Sequence, residues 1–396
     1  MDHALNEAGH HAEMHWSATG GHDYPHPFLP RIIDCLRVFE PRGASLLDGN
    51  FSTKVLATSS TRAGCGARLP SRNWTHVLGV AEAVKGWSEF TDFAWVVLLS
   101  ALQGRLCVRG AAGEIGVLHG AHFVALAATA QWNDTLFACD TFAERGVGVA
   151  PRTAARAFRH TLHRALGDKG YNPSRLALLR RSSLTLSDWE PLPPAIAALP
   201  PFRILSVDGA HLELAVFSDL RWAAHRLAPG GILVLNDILH PRWLGVNRGL
   251  RSFFQLLDPK YMRLRPLLLS AKKLYLTTPS HHRLYLRALC QLHRDDSLQR
   301  RLLPPLPRVA PLKIARLPLS VLSRALAASE PSFNGSGLDA PFAERTLPAA
   351  YLPPVERGSL DVAVSRAALR RLSRVLGVRP AAAFRYSSAC HMTVVE

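Results

Sequence analysis

The chain has 396 residues, 48% of them hydrophobic, and carries a formal net charge of +17 at pH 7. This length and composition allow one large domain or two modest ones with a substantial buried core. No stretch reaches the roughly 20 apolar residues of a membrane-spanning helix, so no membrane span is expected. The nearest candidate, Phe93 to Val108, is interrupted by Gln103, Gly104 and Arg105, and we predict a helix packed on the core there.

Charge and cysteine usage set expectations about partners and compartment. Almost all of the basic charge is arginine spread along the chain, which favours general association with acidic surfaces over a specific nucleic-acid partner. Met1 to Gly21 lacks the apolar run of a signal peptide, so we predict a cytoplasmic protein. The six cysteines form neither a CxxC pair nor a zinc-binding spacing, and we expect them to be reduced and mostly buried.

The composition divides the chain into three parts. Residues 1–80 are rich in His, Gly, Ser and Arg, and are predicted to be a partly disordered extension or a cap. Residues 81–295 form the predicted central domain. Residues 296–396 begin with a proline-rich linker, Pro304 to Pro318, and continue into a predicted helical extension with apolar residues at helical spacing over Ser359 to Leu376.

Short apolar runs alternate with helix-length segments in the central domain. In chain order the pattern predicts a helix over 90–103, a strand over 111–117, a helix over 121–132, a strand over 135–139, a helix over 151–166, strands over 176–180 and 202–207, a helix over 212–227, a turn over 228–231, a strand over 232–235, a helix over 246–257 and a last strand over 273–277 before another helix. This alternation predicts an α/β fold with a doubly wound, mostly parallel sheet. Ligands of such sheets bind beyond the carboxyl ends of the strands.

The first two predicted strands end in residues that suit a nucleoside ligand. The first strand runs into the turn Gly113 to Gly120, whose glycines allow close approach of a ligand to the backbone. The spacing differs from the GxGxxG of a dinucleotide site, which disfavours a nicotinamide dehydrogenase. The second strand ends in Asp140, whose carboxylate can accept hydrogen bonds from both hydroxyls of a ribose. The alternative interpretation of Asp140 is a helix N-cap.

Oxygen-bearing side chains follow two later strands. Asp208 ends one strand, and Asn236 and Asp237 end the next. If these strands are neighbours, three oxygen ligands of the kind that Mg²⁺ prefers converge at one edge. His211, three residues after Asp208, is suited to act as a general base. The alternative is that the carboxylates cap the following helices and the histidine packs against them.

In order and spacing, these residues resemble the class I S-adenosylmethionine-dependent methyltransferases, in the branch with macrolide-sugar O-methyltransferases and cephalosporin-hydroxylase-like proteins. The resemblance covers about half of the chain. It rests on Lys85-Gly86-Trp87, Glu114 to Gly120, Asp140, Val207 to His211, Asp219-Leu220, Leu227 to Gly231, Asn236-Asp237 and Trp243 to Val246. It implies a seven-stranded Rossmann-like sheet with helices on both faces.

The resemblance also implies roles for individual residues. Glu114, Gly116 and Gly120 would lie near the methionine part of S-adenosylmethionine. Asp140 would bind the ribose, and Ser182 would lie beside the adenine. The divalent-metal ligands would be Asp208, Asn236 and Asp237, and the catalytic base would be His211. Asp208 is also assigned to the cofactor site and to the catalytic site. The sequence departs from the family pattern at Leu118, where a third glycine is common, and at Ser182 and Asn236, where relatives often carry acids.

Together with the resemblance, these residues predict an O-methyltransferase that acts on a small hydroxylated molecule, such as a sugar, with S-adenosylmethionine and with assistance from Mg²⁺. Trp243 is expected either to form a wall of the acceptor pocket or to cover the sheet edge. An RNA methyltransferase is one alternative, suggested by the arginine excess, and it predicts a contiguous basic face beside the pocket. A non-catalytic binding protein is another, and it predicts a metal pocket that is closed or empty and a His211 side chain directed away from it.

Overall fold

The computed structural model describes most of the central part of the chain. The described residues are 69–84, 90–143, 151–167, 170–186, 191–240, 242–256, 264–270, 272–302, 304, 312, 314–318, 361–365, 368, 371, 384–386 and 392–394. The histidine-rich N-terminal segment and the motif Lys85-Gly86-Trp87 lie outside them.

Nine strands of the described residues form one sheet, in the order β3-β2-β1-β4-β5-β7-β6-β9-β8. In chain order they are β1 Ala111–Ile115, β2 Leu136–Cys139, β3 Leu176–Leu179, β4 Phe202–Val207, β5 Leu227–Leu235, β6 Arg265–Leu269, β7 Leu274–Thr277, β8 Ile314–Pro318 and β9 Asp361–Ser365. A separate antiparallel pair consists of β10 Phe384–Tyr386 and β11 Met392–Val394.

The first five strands are parallel, and β7 runs antiparallel between β5 and β6. From β1 the chain winds outward through β2 to β3, and it then returns to β4 on the other side of β1. The strand order therefore reverses between β1 and β4, the point at which open α/β sheets bind ligands. The predicted α/β class with a mostly parallel, doubly wound sheet is confirmed.

Helices connect the strands. They are α1 Trp74–Ala83, α2 Phe90–Arg105, α3 Ala121–Ala128, α4 Pro151–Leu166, α5 Pro194–Ala197, α6 Glu213–His225, α7 Leu244–Leu256, α8 Pro279–Arg294 and α9 Asp296–Leu302, with short 3₁₀ turns at Pro173–Arg175 and Ser183–Leu186. The predicted domain boundary at residue 80 falls inside α1, whose Trp74, Val77 and Leu78 belong to the main hydrophobic core.

Helix α2 confirms the core helix that the broken apolar run predicted. Its residues from Asp92 to Gln103 are all buried. Buried polar side chains need partners, and Gln103 exchanges hydrogen bonds with the backbone and side chain of Arg203 on β4. Among the described residues, no helix combines the length and the apolar character that crossing a membrane requires.

The structure corrects several sequence predictions. The turn predicted over 228–231 is a bulge within β5, since Leu227 pairs with Phe202 and the next pair is Ile232 with Ile204. Strand β6 was not predicted from the residue pattern. The sheet has nine strands instead of the seven that the resemblance implied, because β8 and β9 extend it. The helix predicted over Ser359 to Leu376 is wrong for Asp361–Ser365, which form β9 beside β8 of the supposed linker.

The cysteine prediction is also wrong in one place. Cys139 and Cys290 are buried and belong to no disulfide, as expected. Cys107, however, is disulfide-bonded.

Candidate active site

The predicted site residues that end strands come together at the carboxyl edge of the sheet. Strands β2, β1, β4 and β5 are adjacent and parallel. Their carboxyl ends carry Asp140, the turn after Glu114, Asp208, and the pair Asn236-Asp237. The ends of these strands meet at one edge because the five strands run in the same direction.

The turn after β1 adopts left-handed backbone conformations. The φ angles are +84° at Gly116, +47° at Leu118 and +90° at Gly120. A Cβ on Gly116 would lie 2.0 Å from the carbonyl oxygen of Asp208, and one on Gly120 would lie 2.8 Å from Cδ2 of Phe158. Packing therefore requires both glycines. Leu118, where relatives often have a third glycine, accepts the left-handed conformation because its backbone N–H donates to Asp140 Oδ2 at 2.7 Å.

Asp140 fastens this turn to the end of β2. Its Oδ1 accepts a second backbone hydrogen bond, from Phe142 N at 2.6 Å. Each carboxylate oxygen has two lone pairs, so a lone pair on each oxygen is left for a ligand. Asp140 is half-buried and thus accessible from the carboxyl edge. The helix N-cap that was the alternative is not the arrangement found, since Phe142 and Ala143 are not helical.

Glu114 lies beneath the turn in a neutral hydrogen-bonded pair. Its Oε1 is 2.8 Å from Nδ1 of His122 on α3, and both side chains are buried. Burial, followed by the charge of Asp208, raises the pKa of Glu114 to about 8. Burial and the charge of Lys273 lower the pKa of His122 to about 3. Near neutral pH both groups are therefore uncharged, and the pair supports the turn without a net charge of its own.

Ser182 lies just beyond β3 at the same edge. It is exposed, and its carbonyl oxygen accepts hydrogen bonds from the backbone and hydroxyl of Thr185 in the 3₁₀ turn. The carboxylate of Asp219 on α6 lies close to Gly209, which follows Asp208. A Cβ on Gly209 would lie 3.2 Å from Asp219 Oδ2. Burial raises the pKa of Asp219 to about 7.

Asp208, His211 and Asp237 form one compact cluster. His211 Nε2 lies 3.6 Å from Asp208 Oδ1 and 3.4 Å from Asp237 Oδ2. Asp237 holds its position through a left-handed backbone, with a φ of +54°. Such strain in a residue other than glycine persists where the surrounding structure fixes it, and it is often found at functional sites.

The charges within this cluster shift the pKa values of its members. Burial lowers the pKa of His211, but the two neighbouring carboxylates overcome this effect and raise it to about 9. Burial raises the pKa of Asp208, and Lys273, His211 and Asn236 together bring it below its ordinary value. The pKa of Asp237 is likewise raised by burial and brought below its ordinary value by His211 and the nearby lysines.

An aromatic stack continues from His211 toward solvent. The His211 and Trp243 rings stack with centroids 4.6 Å apart and planes at 20°. His240 stacks on the same indole at 5.7 Å. Trp243 is 42% exposed, so it contacts the cluster and also presents an apolar surface beside it.

The sequence did not identify Lys273 as a site residue. The Lys273 side chain is 0% exposed, and its Nζ donates to Asn236 Oδ1 at 2.8 Å and lies 3.9 Å from Asp208 Oδ2. Asn236 Nδ2 in turn donates to Asp208 Oδ1 at 2.6 Å. A lysine in front of the apolar run Leu-Tyr-Leu was the available signal.

Residues 114–238, which include every strand end of the site, match the family model described as "Methyltransferase domain". This part of the chain is a methyltransferase domain by that match. The resemblance drawn from the sequence is thus confirmed, and the enzyme class is S-adenosylmethionine-dependent methyl transfer. A comparison with curated protein sequences finds no match.

Solved structures of methyltransferases are similar to the chain at low identity. The TDP-rhamnose 3'-O-methyltransferase of calicheamicin biosynthesis is 19% identical, with 65% of this chain and 96% of that chain covered and a TM-score of 0.39. The O-methyltransferase NovP is 12% identical, with 63% and 98% covered and a TM-score of 0.38. An O-methyltransferase from Bacillus cereus in complex with SAH is 18% identical, with 52% and 90% covered and a TM-score of 0.34.

The methyltransferase domain has a donor set that fits S-adenosylmethionine. Asp140 has two carboxylate oxygens, the type of acceptor that ribose hydroxyls require, and the left-handed turn brings backbone close to the carboxyl edge. The fit to a divalent ion is incomplete. Asp208 and Asp237 present carboxylates together with His211, whereas the amide of Asn236 directs its oxygen at Lys273 and its nitrogen at Asp208.

Proposed function

We propose that this methyltransferase transfers the methyl group of S-adenosylmethionine to a hydroxyl of a small hydroxylated molecule, such as a sugar. One observation carries the proposal. His211 Nε2 lies 3.6 Å from Asp208 Oδ1 and 3.4 Å from Asp237 Oδ2, at the same sheet edge as the turn after β1. An imidazole held in this way is a general base for an oxygen nucleophile, which a hydroxyl needs because it attacks poorly while protonated.

The proposed reaction is an in-line displacement. S-adenosylmethionine supplies a methyl group already activated by its sulfonium. The acceptor oxygen forms a bond to the methyl carbon as the carbon–sulfur bond breaks, which leaves a neutral thioether. The acceptor proton passes to His211 Nε2. Asp208 and Asp237 stabilise the imidazolium that forms, because both carboxylates lie within 3.6 Å of that nitrogen.

The aromatic stack supports a ring-shaped acceptor. Trp243, which stacks on His211, is 42% exposed, and Leu212, the next residue in the chain after His211, is 40% exposed. The C–H face of a sugar or the face of another ring can pack on such an apolar surface and leave a hydroxyl directed toward the imidazole. The position of His211 favours catalysis over a non-catalytic protein, which predicted a side chain turned away.

Calorimetry with S-adenosylmethionine tests the proposed cofactor site. Wild-type protein is expected to bind, and Asp140→Ala is expected to weaken binding by about 10- to 100-fold, because a hydrogen bond to a charged group contributes about 1.5–3 kcal/mol. Asp134→Ala is the matched control. Asp134 precedes the opposite end of β2 and also accepts a backbone hydrogen bond, from Gln131 N. No binding by the wild-type protein would overturn the proposal.

The pH dependence of turnover follows from the raised pKa of His211. The base must be neutral to accept a proton, so turnover is expected to rise between pH 7 and about 9, the pKa of His211. Asp237→Asn removes one of the charges that raise this pKa and moves the rise to lower pH. Asp295→Asn, at the end of α8, is the control. A profile that is flat from pH 7 to about 9 argues against His211 as the base.

Divalent-metal assistance, expected from the sequence, is the second candidate. The observation in its favour is that ligand atoms of Asp208, His211 and Asp237 all lie within 4.8 Å of one another. Asn236, the third predicted ligand, does not present an oxygen to this cluster, so two carboxylates replace the expected set of three oxygen ligands.

A further inference from the structure

Lys273 is a fully buried lysine at the carboxyl edge of the sheet. Strand β7 is antiparallel to β5, and Leu274 pairs with Leu235. The residues beyond this pair, Lys273 and Asn236, therefore face each other just past the strand ends. The turn from β6 fixes the lysine backbone, because Ser270 N donates to Lys273 O at 2.9 Å and Lys273 N donates to Ser270 Oγ at 3.2 Å. A second buried group, Asp92 of α2, accepts from the same serine hydroxyl.

The ammonium of Lys273 fixes the orientation of the Asn236 amide. A lysine ammonium can only donate hydrogen bonds, and an ionised carboxylate can only accept them. Asn236 lies between the two, with Lys273 Nζ 2.8 Å from its Oδ1 and Asp208 Oδ1 2.6 Å from its Nδ2. The opposite orientation would set donor against donor and acceptor against acceptor. Asn236 therefore directs N–H groups, not an oxygen, at Asp208.

We infer that the Lys273 ammonium is a built-in cation that takes the place of a divalent metal ion at this site. It lies 3.9 Å from Asp208 Oδ2 and is screened from solvent, with 0% side-chain exposure. A divalent ion bound to Asp208 would lie close to this fixed positive charge and would lack an oxygen from Asn236. Like charges at short range in a buried setting repel strongly, so the site excludes the ion that its two aspartates would otherwise attract.

The role of Lys273 in the reaction rests on the proposed function. Lys273 touches neither acceptor nor cofactor in this scheme and is a positioning residue. Through Asn236 it holds Asp208 Oδ1 on the side where His211 Nε2 lies 3.6 Å away. The aspartate is thus kept ionised and oriented by a charge that belongs to the chain.

Binding of Mn²⁺, followed by electron paramagnetic resonance on the full-length protein, tests the inference without any assay of activity. Wild-type protein is expected to leave the spectrum of the aqueous ion unchanged. The double variant Asn236→Asp/Lys273→Met replaces the ammonium with an apolar chain and adds a carboxylate, and is expected to tighten Mn²⁺ binding by at least about tenfold, since ligand charge sets such affinities. The control Asn236→Asp/Lys272→Met has the same net charge but keeps Lys273.

Each result has a defined meaning. Stoichiometric Mn²⁺ binding by wild-type protein that Asp208→Asn abolishes overturns the inference, whether or not the variants fold. Equal binding by the double variant and its control also overturns it, because total charge and not the ammonium position would then govern affinity. Turnover unaffected by a chelator in wild-type protein supports it. Failure of the proposed function would appear separately, as absent S-adenosylmethionine binding with the Mn²⁺ results unchanged.

Discussion

Replacement of His211 by alanine is expected to reduce turnover by about 10²- to 10⁴-fold, the contribution typical of a positioned general base. The imidazole of His211 is the proposed base, and its Nε2 lies within 3.6 Å of two carboxylates. Affinity for S-adenosylmethionine should be unchanged, because the proposed cofactor contacts come from Asp140 and the turn after β1. A radiolabelled methyl-transfer assay and calorimetry on the same preparation measure the two effects.

His160→Ala is the matched control for this variant. His160 is exposed on α4 and lies away from the strand ends in sequence. It should alter neither turnover nor cofactor affinity. Equal loss of cofactor affinity and turnover in His211→Ala would instead indicate that His211 is part of the cofactor site. Unchanged turnover would remove the base from the proposed mechanism.

The residues that end parallel strands could be predicted from the sequence. Asp140, Asp208 and Asp237 each follow a short apolar run, and the alternation of runs with helices places such residues at one sheet edge. This prediction needed neither the helix packing nor the connection lengths. The same alternation of apolar runs and helices predicted both the fold class and the position of these aspartates at one edge.

The contribution of Lys273 could not be predicted in the same way. It precedes a strand, so in a parallel sheet it would lie at the opposite edge from Asp208. Only the antiparallel direction of β7 and its register, with Leu274 beside Leu235, bring the lysine to Asn236.

Short segments also leave the choice between strand and helix ambiguous in the sequence. Asp361–Ser365 has apolar residues compatible with either, and pairing with β6 and β8 makes it a strand.

The orientation of Asn236 shows a related limit of sequence reasoning. An asparagine next to an aspartate at a strand end is expected to be a weaker metal ligand than an aspartate, because its side-chain oxygen carries no charge. Which of its two ends faces the site depends on the neighbour across the sheet. The oxygen faces Lys273, so the residue that was expected to bind a divalent cation donates a hydrogen bond to a carboxylate instead.

Gly116→Ala is expected to destabilise the folded protein by about 2–6 kcal/mol. Backbone strain of a residue other than glycine in an unfavourable conformation contributes about 1–3 kcal/mol, and Gly116 has a φ of +84°. Overpacking contributes about another 1–3 kcal/mol, because the new Cβ would lie 2.0 Å from Asp208 O. The obstacle is backbone, held by the hydrogen bond from Asp208 N to Ile115 O at 2.8 Å, so it cannot move aside alone.

Gly79→Ala provides the opposite expectation in the same chain. Gly79 lies inside α1, and a Cβ there would meet nothing within 4 Å. Alanine in an exposed helix interior is favoured over glycine by about 0.5–1 kcal/mol, so this variant should be slightly more stable than wild type in urea unfolding. Gly116→Ala should also lose methyl transfer before it unfolds, because relief of the clash displaces Asp208 from His211. Equal stability of the two variants would show that β1 and β4 do not approach at Gly116 as described.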